Sequence, residues 1–583
     1  MSRPRWMKLA RDLVLARGRM AMLVAAIAAS IFAMALMLST FTVMTREMTA
    51  NYVGTNPASA FIELDHVDEA LVAAVSQQPN IADAEATSWI NGRVEVAPDQ
   101  WMPLLLFVIP DFANARISTV SPEAGAFPPP ENSILVEREV LPLLDVAIGD
   151  ALIVQMPNGT TQSIPISGTV HDPSLAPAWQ EQTVYGYTTP AVLAAFGEDT
   201  TLHILKITIS DQPDSITAIE STVEQLTGWL RAQGRTVDEI RIPPPLRHPH
   251  QSQMNTVMMV FLVFSLMALV LSAVLTATMI GGLLAQQIRQ IGIMKAIGAR
   301  SSQIAALYLV LVMGLGLIAA VIGILPGMWA GRGFADVVAQ LLNLNIYRYD
   351  VPLWVYGALL LMGILLPLLV AIRPIRRATR VTVRETLADY GTVAAAFGTS
   401  RFESWLSRIQ GINSAVLLAF RNTFRRRSRL ILSLSLLGAA GGMFMTGLNT
   451  SSAWETYINM AAADRHYDLE VRLNTPQPVE QITALLSEVE GVAAIESWSL
   501  IPAAVARPNG LDIVRTYPDG GHGSFTLRSA PVASTFMNTP MLSGRWFQPD
   551  DTHHIVLNQN ALALFPDAAV GSTIDLLIEW QPI

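Results

Sequence analysis

Five long apolar runs divide the chain and constrain its fold more than any other feature. None of them contains a charged residue. They cover residues 20–44, 254–284, 304–329, 353–372 and 430–448. An α-helix needs about 20 apolar residues to cross a bilayer, so each run is predicted to span a membrane. The first run is longer than the apolar core of a cleavable signal peptide, which predicts a retained anchor.

The segments between the runs alternate in charge and predict the topology. Cytoplasmic loops carry an excess of lysine and arginine, so we expect the N-terminus inside the cell. The basic segments are predicted to be the cytoplasmic N-terminus at 1–19, a cytoplasmic loop at 285–303 and a cytoplasmic linker at 373–429. The other segments are predicted to lie outside: a first domain at 45–253, a loop at 330–352 and a second domain at 449–583.

The two large outer segments have the composition of soluble α+β domains. In the first, residues 133–136, 151–156 and 202–209 resemble strands, and 216–233 has the periodicity of an amphipathic helix. The apolar stretch Trp101–Pro110 is too short to cross a bilayer. It is predicted to be a core strand, with a lipid-touching loop as the alternative.

The loop between the second and third runs is predicted to contain a short helix. Apolar residues recur there at every third position: Ile288, Ile291, Met294 and Ile297. Gly298 is suited to end that helix. The apolar face could rest on lipid headgroups, or it could dock on a cytoplasmic partner.

The same loop carries a family resemblance. The pattern Arg289-x-Ile291-Gly292-Ile293-Met294-Lys295-Ala296-Ile297-Gly298-Ala299 resembles the signature loop of FtsX-like ABC-transporter permeases, which include MacB-type exporters. The resemblance implies a multi-pass protein of a prokaryotic plasma (inner) membrane, whose coupling helix docks on a separate ABC ATPase subunit. The residues that it implies for ATPase coupling are Arg289, Ile291, Gly292, Met294, Lys295, Ile297 and Gly298.

An internal repeat begins near Leu417. Arg17–Met20 leads into the first run as Arg426–Arg429 leads into the fifth. Phe127–Glu131 before residues 134–136 resembles Phe547–Asp550 before 555–557. The element Gly544–Phe547 resembles the "GR-aromatic" element of MacB-like periplasmic core domains. The expected fold is thus an α-helical transmembrane bundle of five spans with two α+β extracytoplasmic domains of that type, the second incomplete. Double-unit relatives have four spans per half, so we expect either a truncated or split gene product or a partner that supplies the rest, namely a second permease copy or a complementary subunit.

Several classes of function find no support in the sequence. There is no Gly-x-x-x-x-Gly-Lys-Ser/Thr phosphate loop, so ATP would be bound by another chain, and neither enzymatic activity nor a cofactor is expected. Cysteine is absent, and the net charge of −9 argues against nucleic-acid binding. The histidine pairs His248/His250 and His553/His554 are predicted to lie on the surface and not to bind metal. We interpret the arginines of 373–429 chiefly as contacts to anionic membrane lipids, with support of the ATPase as the alternative.

These features lead to one leading hypothesis of function and one alternative. Gly323 and Gly327 form a small-xxx-small pair that predicts close helix packing. The family resemblance implies that ATP hydrolysis in a partner moves the spans and, through them, the outer domains. We expect export or extraction of a hydrophobic or envelope-associated substrate, such as a lipoprotein, lipid or peptide. The alternative is a signalling scaffold that activates an envelope hydrolase or a sensor kinase.

Overall fold

The structure is a computed structural model of the 583-residue chain. It describes residues 17–98, 100–383, 427–505 and 526–582, less nine positions between 472 and 580, together with Met7 and Arg11. Most of the predicted linker 373–429 therefore lies outside the described residues. The chain forms two compact units. The helical unit comprises Met1–Thr45, Ser252–Val338 and Ile346–Glu455, and the strand-rich unit comprises Arg46–Gln251, Ala339–Asn345 and Thr456–Ile583.

The helices and strands follow one another along the chain in this order. The elements are α1 (Arg17–Gly54), β1 (Ala60–Leu64), α2 (Glu69–Val75), β2 (Ile81–Ala97), β3 (Gln100–Val108), β4 (Ser121–Gly125), β5 (Ile134–Glu137), α3 (Val140–Leu144), β6 (Ala151–Gln155), β7 (Thr161–His171), α4 (Ala178–Glu181), β8 (Val184–Thr188), α5 (Pro190–Phe196), β9 (Ile204–Ile209), α6 (Ile216–Ala232), β10 (Val237–Arg241), α7 (Gln251–Gln286), α8 (Ile288–Ala296), α9 (Ser301–Leu341), α10 (Leu353–Thr379), α11 (Arg427–Ala463), α12 (Val479–Ser487), β11 (Ser499–Val505), β12 (Thr526–Ser529), β13 (Leu576–Ile578) and β14 (Gln581–Pro582). A 3₁₀ turn covers Gln559–Ala563.

Four helices of the described residues are long and apolar enough to cross a membrane: α1, α7, α9 and α10. The fifth predicted span, 430–448, lies within α11, where several side chains are outside the described residues, so a count of five stays a prediction. The predicted outer loop 330–352 needs correction, because α9 continues through its first twelve residues, 330–341. A helix does not need apolar residues to continue, and this one ends where Asn343 takes a left-handed conformation with φ of 51°.

Glycines let α9 approach α1 closely in the helical unit. A Cβ atom on Gly323 would lie 2.5 Å from the carbonyl oxygen of Ala28, and one on Gly327 would lie 2.7 Å from the Cβ of Ala35. Gly331, one turn further on, faces Ser39 in the same way. The sequence pattern indicated the first two glycines, but neither the third nor the identity of the helix they face.

The strand-rich unit contains a ten-stranded sheet that is divided by one long strand. The order is β10-β1-β9-β2-β3-β8-β5-β7-β4, and β6 pairs with both β2 and β7. The first half of β2 pairs with β9, and its second half pairs with β3 and β6. The six strands β2-β3-β8-β5-β7-β6 therefore form a closed ring, and each half of β2 has its own apolar core. The stretch predicted as a core strand is β3, with Leu104 and Leu106 buried.

The described residues of the C-terminal part of the chain carry a smaller sheet and only part of the predicted repeat. Its strands follow the order β12-β11-β13-β14. Gly544 has a φ of 78°, and Arg545 forms two hydrogen bonds to Asp551, of 2.6 and 2.7 Å. Residues 555–557 form no strand, although their counterparts 134–136 lie in β5. A strand needs neighbours, and β5 has them in β7 and β8.

We expect Gly327→Val to destabilise the helical unit. A side chain there would meet Ala35 Cβ at 2.7 Å and the carbonyl oxygen of Phe32 at 2.8 Å, so α1 and α9 must move apart. Overpacking of this kind typically costs about 1–3 kcal/mol. Thermal unfolding of the purified protein in detergent measures the loss. Gly314→Val is the matched control, because nothing lies within 4 Å of a Cβ at that glycine of the same helix. Equal melting temperatures for the two variants would contradict this packing.

Candidate functional site

The loop between α7 and α9 forms the predicted short helix, α8. It ends in a turn that depends on glycine: Gly298 has a φ of 100°, which most side chains avoid. The amide nitrogen of Gly298 donates to the carbonyl of Lys295, and that of Ala299 donates to the carbonyl of Met294, both at 2.9 Å. These two bonds form a Schellman motif, which satisfies the last carbonyls of the helix. Gly298 therefore ends α8 as its sequence position suggested.

The apolar residues that were predicted to form one stripe on α8 lie on two different faces of the helix. Ile291 and Gly292 are buried in the core of the helical unit, and Met294 packs against that core. Ile297 is 83% exposed, and Ile293 is 45% exposed. A helix turns about 100° per residue, so a residue three positions on falls about 60° short of a full turn. Three such steps, or nine residues, add up to about 180° and place the side chain on the opposite side of the helix. Ile288 and Ile297 therefore cannot share a face, and the exposed apolar pair is Ile293 with Ile297.

Side-chain hydrogen bonds fix α8 and its flanks to the rest of the helical unit. Lys295 Nζ donates to the carbonyl of Val381, just after α10, at 2.6 Å. Gln287, the residue before α8, accepts a buried hydrogen bond of 2.5 Å from the hydroxyl of Tyr308. Lys295 thus serves an internal contact, whereas Arg289 is exposed beside Ile293. The surface that remains is an apolar pair with basic residues around it.

A buried polar cluster in the strand-rich unit was not foreseen from the sequence. It forms around Asn343, which follows α9 and is fully buried. Asn343 Nδ2 donates to Glu137 Oε1 at 2.9 Å, and its Oδ1 accepts from Arg138 Nε at 2.9 Å. His171 Nε2 lies 2.8 Å from the carbonyl oxygen of Asn343. The left-handed turn at an asparagine is a local signal, but its partners are about 200 residues away in the sequence.

Burial shifts the pKa values of two members of this cluster. Burial raises the pKa of the Glu137 carboxyl to about 7, and the hydrogen bonds from Asn343 and from the amide of Glu139 offset only part of this. Burial lowers the pKa of His171, against the effect of its hydrogen bond to Asn343. His171 is 1% exposed, so its neutral form is favoured in the folded protein.

His248 is buried, contrary to the expectation of a surface histidine. It is 1% exposed, and its Nε2 lies 2.6 Å from the carbonyl oxygen of Pro173. Its Nδ1 accepts a hydrogen bond of 3.1 Å from the amide of His250. Burial lowers the pKa of His248 to about 4, and the bond to Pro173 offsets only part of the shift. The ring is a neutral structural group, held where the chain enters α7.

The described histidines and acidic residues form neither a metal-binding group nor, at residues 171–174, a catalytic triad. No group of three or more histidine, aspartate or glutamate side chains in them could hold a metal ion. His553 and His554 are exposed, as expected. Asp172 accepts hydrogen bonds from Ser174 Oγ at 2.6 Å and from the hydroxyl of Tyr187 at 2.9 Å. His171 is bonded instead to the segment after α9, so the neighbouring His171, Asp172 and Ser174 do not form a triad.

We expect His248 to make the stability of the fold sensitive to acid. The folded form keeps the ring neutral down to about pH 4, whereas the unfolded chain takes up the proton near 6.5. Stability contributed by this group is complete above about pH 6.5 and is lost as the pH falls towards 4. The loss between pH 7 and pH 5 should be about 2 kcal/mol. Denaturant unfolding at both pH values measures it.

Two variants isolate the contribution of His248. His248→Gln keeps a donor and an acceptor but does not titrate, so its stability should depend less on pH than that of the wild type. His203→Gln changes a partly exposed histidine of the same unit and should keep the wild-type dependence. An unchanged pH dependence in His248→Gln would show that other groups cause the effect.

Comparison with known proteins finds a family model that is similar to the region around α8. Residues 262–383, from within α7 to just past α10, match the family model "FtsX-like permease C-terminal". No curated protein matches the chain. Among solved structures, the periplasmic region of MacB from Actinobacillus actinomycetemcomitans is similar at 11% identity, covering 35% of this chain and 95% of that one, with a TM-score of 0.23. The extracellular domain of the noncanonic ABC-type transporter YknZ from Gram-positive bacteria is similar at 10% identity, covering 30% and 98%, with a TM-score of 0.22. Residues 262–383, which comprise most of α7 with α8, α9 and α10, are thus similar to the C-terminal domain of FtsX-like permeases.

Proposed function

We propose that the chain is the membrane subunit of an ABC transport system and that α8 is its coupling helix. Permeases of the FtsX-like family work with an ATPase subunit, and the matched region contains α8. The observation that carries the proposal is the surface of α8. A short helix, fixed to its own bundle on one side, presents the exposed side chains of Ile293 and Ile297 on the other.

The exposed surface of α8 suits a partner with an apolar groove and an acidic rim. Covering an isoleucine side chain contributes roughly 1.5–3 kcal/mol before the costs of ordering and association. Arg289 and Arg300 are exposed on either side of the apolar pair. Opposite charges around such a groove would orient the approach and discriminate against other partners. Basic side chains at the end of α10 would enlarge the same surface: Arg376, Arg377 and Arg380.

The attachments of α8 would pass its movement to the spans. The bond from Lys295 ties it to the chain after α10, and Ile291 and Met294 anchor it in the apolar core. Gly298 connects it to α9 through one fixed turn. A partner that displaces α8 would therefore displace the inner ends of α7, α9 and α10 together. In this function Ile291 and Met294 transmit force, and Ile293 and Ile297 make the contact.

The character of the spans favours the transfer of force over the passage of ions. None of the five apolar runs contains a charged residue that could carry protons or bind a coupling ion. We propose export or extraction of a hydrophobic or envelope-associated substrate, with the strand-rich unit outside the membrane. A second permease copy or a complementary subunit would cover part of α11, where Ile431 and Leu437 are 62% and 72% exposed.

We expect Ile297→Asp to release the ATPase subunit. The substitution places a charge in an apolar groove, which costs several kcal/mol unless the charge is paired. Co-purification of the ATPase with the wild type and with the variant, at matched expression, measures the loss. Ile148→Asp makes the same change on an exposed isoleucine of the strand-rich unit and should recover the ATPase in full. If Ile297→Asp recovers as much ATPase as the wild type but binds anionic vesicles less well, α8 is an interfacial helix and not a docking element.

We expect cysteine labelling to place the strand-rich unit outside the cell and the α8 loop inside. The chain has no cysteine of its own, so single introduced cysteines report their positions without background. Ser163 and Ser302 are both exposed. An impermeant thiol reagent applied to intact cells should label Ser163→Cys and should label Ser302→Cys only after the cells are lysed. The opposite pattern would reverse the proposed topology.

A further inference from the structure

A short polar segment attaches the end of α9 to the strand-rich unit. This latch segment, Ala339–Asn345, lies within that unit. Gln180 Nε2 donates to the carbonyl of Leu341 at 2.7 Å. Asn51 Nδ2 donates to the carbonyl of Asn345 at 2.7 Å, and the Asn345 amide donates to Asn51 Oδ1 at 3.0 Å. Together with the bonds of Asn343, these contacts make the attachment depend largely on polar groups.

Both ring nitrogens of His171 are bonded to the latch segment, and the partners fix its tautomer. Nε2 faces the carbonyl oxygen of Asn343 and must therefore carry the proton. Nδ1 lies 3.1 Å from Asn345 Nδ2. Arg138 Nη1 donates to Asn345 Oδ1 at 2.6 Å, which orients that amide with its NH₂ group towards the ring. Nδ1 must therefore be an acceptor, and the neutral imidazole with its proton on Nε2 is the form that fits.

We propose that the latch segment is held by neutral His171 and is released when His171 takes up a second proton. That proton would bind Nδ1 and point at the NH₂ group of Asn345, so a hydrogen bond would become a contact between two donors. The charged ring would also lie beside the guanidinium of Arg138. A buried imidazolium can recover hydration if the segment moves away, which links release of the segment to protonation.

The charged groups around His171 act in both directions, and the sign of the expected effect follows from their sum. Asp172 and Glu123 favour the protonated ring, whereas burial and Arg138 oppose it, and the pKa of His171 is lowered. The attached state therefore binds a proton less readily than a released state whose ring reaches water. Attachment is strongest above the ordinary histidine pKa of about 6.5 and weakens as the pH falls below it.

Glu137 acts in the opposite sense and must be separated from His171. Its pKa is raised to about 7, so a release that exposes the carboxyl to water would be disfavoured by acid. Acid would then strengthen the attachment through Glu137 and weaken it through His171. Glu137→Gln removes the first effect and leaves the second.

A distance measurement on the full-length chain in lipid nanodiscs tests the proposal without any ATPase. Because the chain has no cysteine, spin labels can be placed on Leu341→Cys and Ser163→Cys, two exposed positions of the strand-rich unit. Because Glu137 opposes the effect, the measurement is made on Glu137→Gln, which should give one narrow distance distribution by pulsed EPR at pH 8 and a second, broader population at pH 5. Adding His171→Gln should keep the distribution narrow at both pH values. Adding His203→Gln, at a partly exposed histidine, should leave the opening at pH 5 unchanged.

Asn345→Asp provides a second test that does not change the ring. An aspartate there can accept from both Arg138 and protonated Nδ1 of His171, so the charged ring would be held and not expelled. The pH at which half of the molecules open should fall by about one unit or more. A single narrow distribution in Glu137→Gln at pH 5 would overturn the proposal. So would opening that is unchanged in both His171→Gln and Asn345→Asp.

Discussion

The close packing of α9 on α1 is the contact on which the rest of the helical unit depends. Inside a bilayer, apolar side chains gain little from leaving lipid, so helices associate through close van der Waals contact and through hydrogen bonds. Gly323, Gly327 and Gly331 supply the first by letting the two backbones approach. Thr40 supplies the second, because its hydroxyl donates to the carbonyl of Gly331 at 3.0 Å. An axial shift of α9 would break this bond and move the glycines out of register, so α1 and α9 are held in one alignment.

The helix α9, which makes this contact with α1, runs without a break from the α8 loop to the polar cluster. The helix has 41 residues and, at 1.5 Å per residue, is about 62 Å long. One end follows Gly298 and the fixed α8 loop, and the other closes at Asn343 in the polar cluster. Pro326 lies within the helix and does not end it. The same covalent element therefore joins the candidate docking surface to the candidate latch.

The sequence was informative where local physical chemistry decides the structure. Apolar length placed four helices, and turn chemistry placed the end of α8 at Gly298. The sequence failed where position depends on three-dimensional packing. A recurrence of three residues resembled a single face of α8, yet the helix period carries Ile291 inward and Ile297 outward. His248 looked like a loop residue beside prolines, and the carbonyl that holds it belongs to Pro173, 75 residues away.

The polar cluster could not be predicted from the sequence, for a related reason. Glu137, His171 and Asn343 sit in three separate parts of the chain, and each has an unremarkable local context. Their significance comes from burial, which makes every unmatched donor or charge costly. An apolar attachment at this place would be indifferent to protons and would stay closed. In the polar attachment, His171 lies between two amide groups that bind its neutral form, and protonation of the ring removes one of these hydrogen bonds. The polar attachment can therefore be controlled by pH, whereas an apolar one could not. One ring nitrogen of His171 donates a hydrogen bond and the other accepts one, and only the neutral ring can do both.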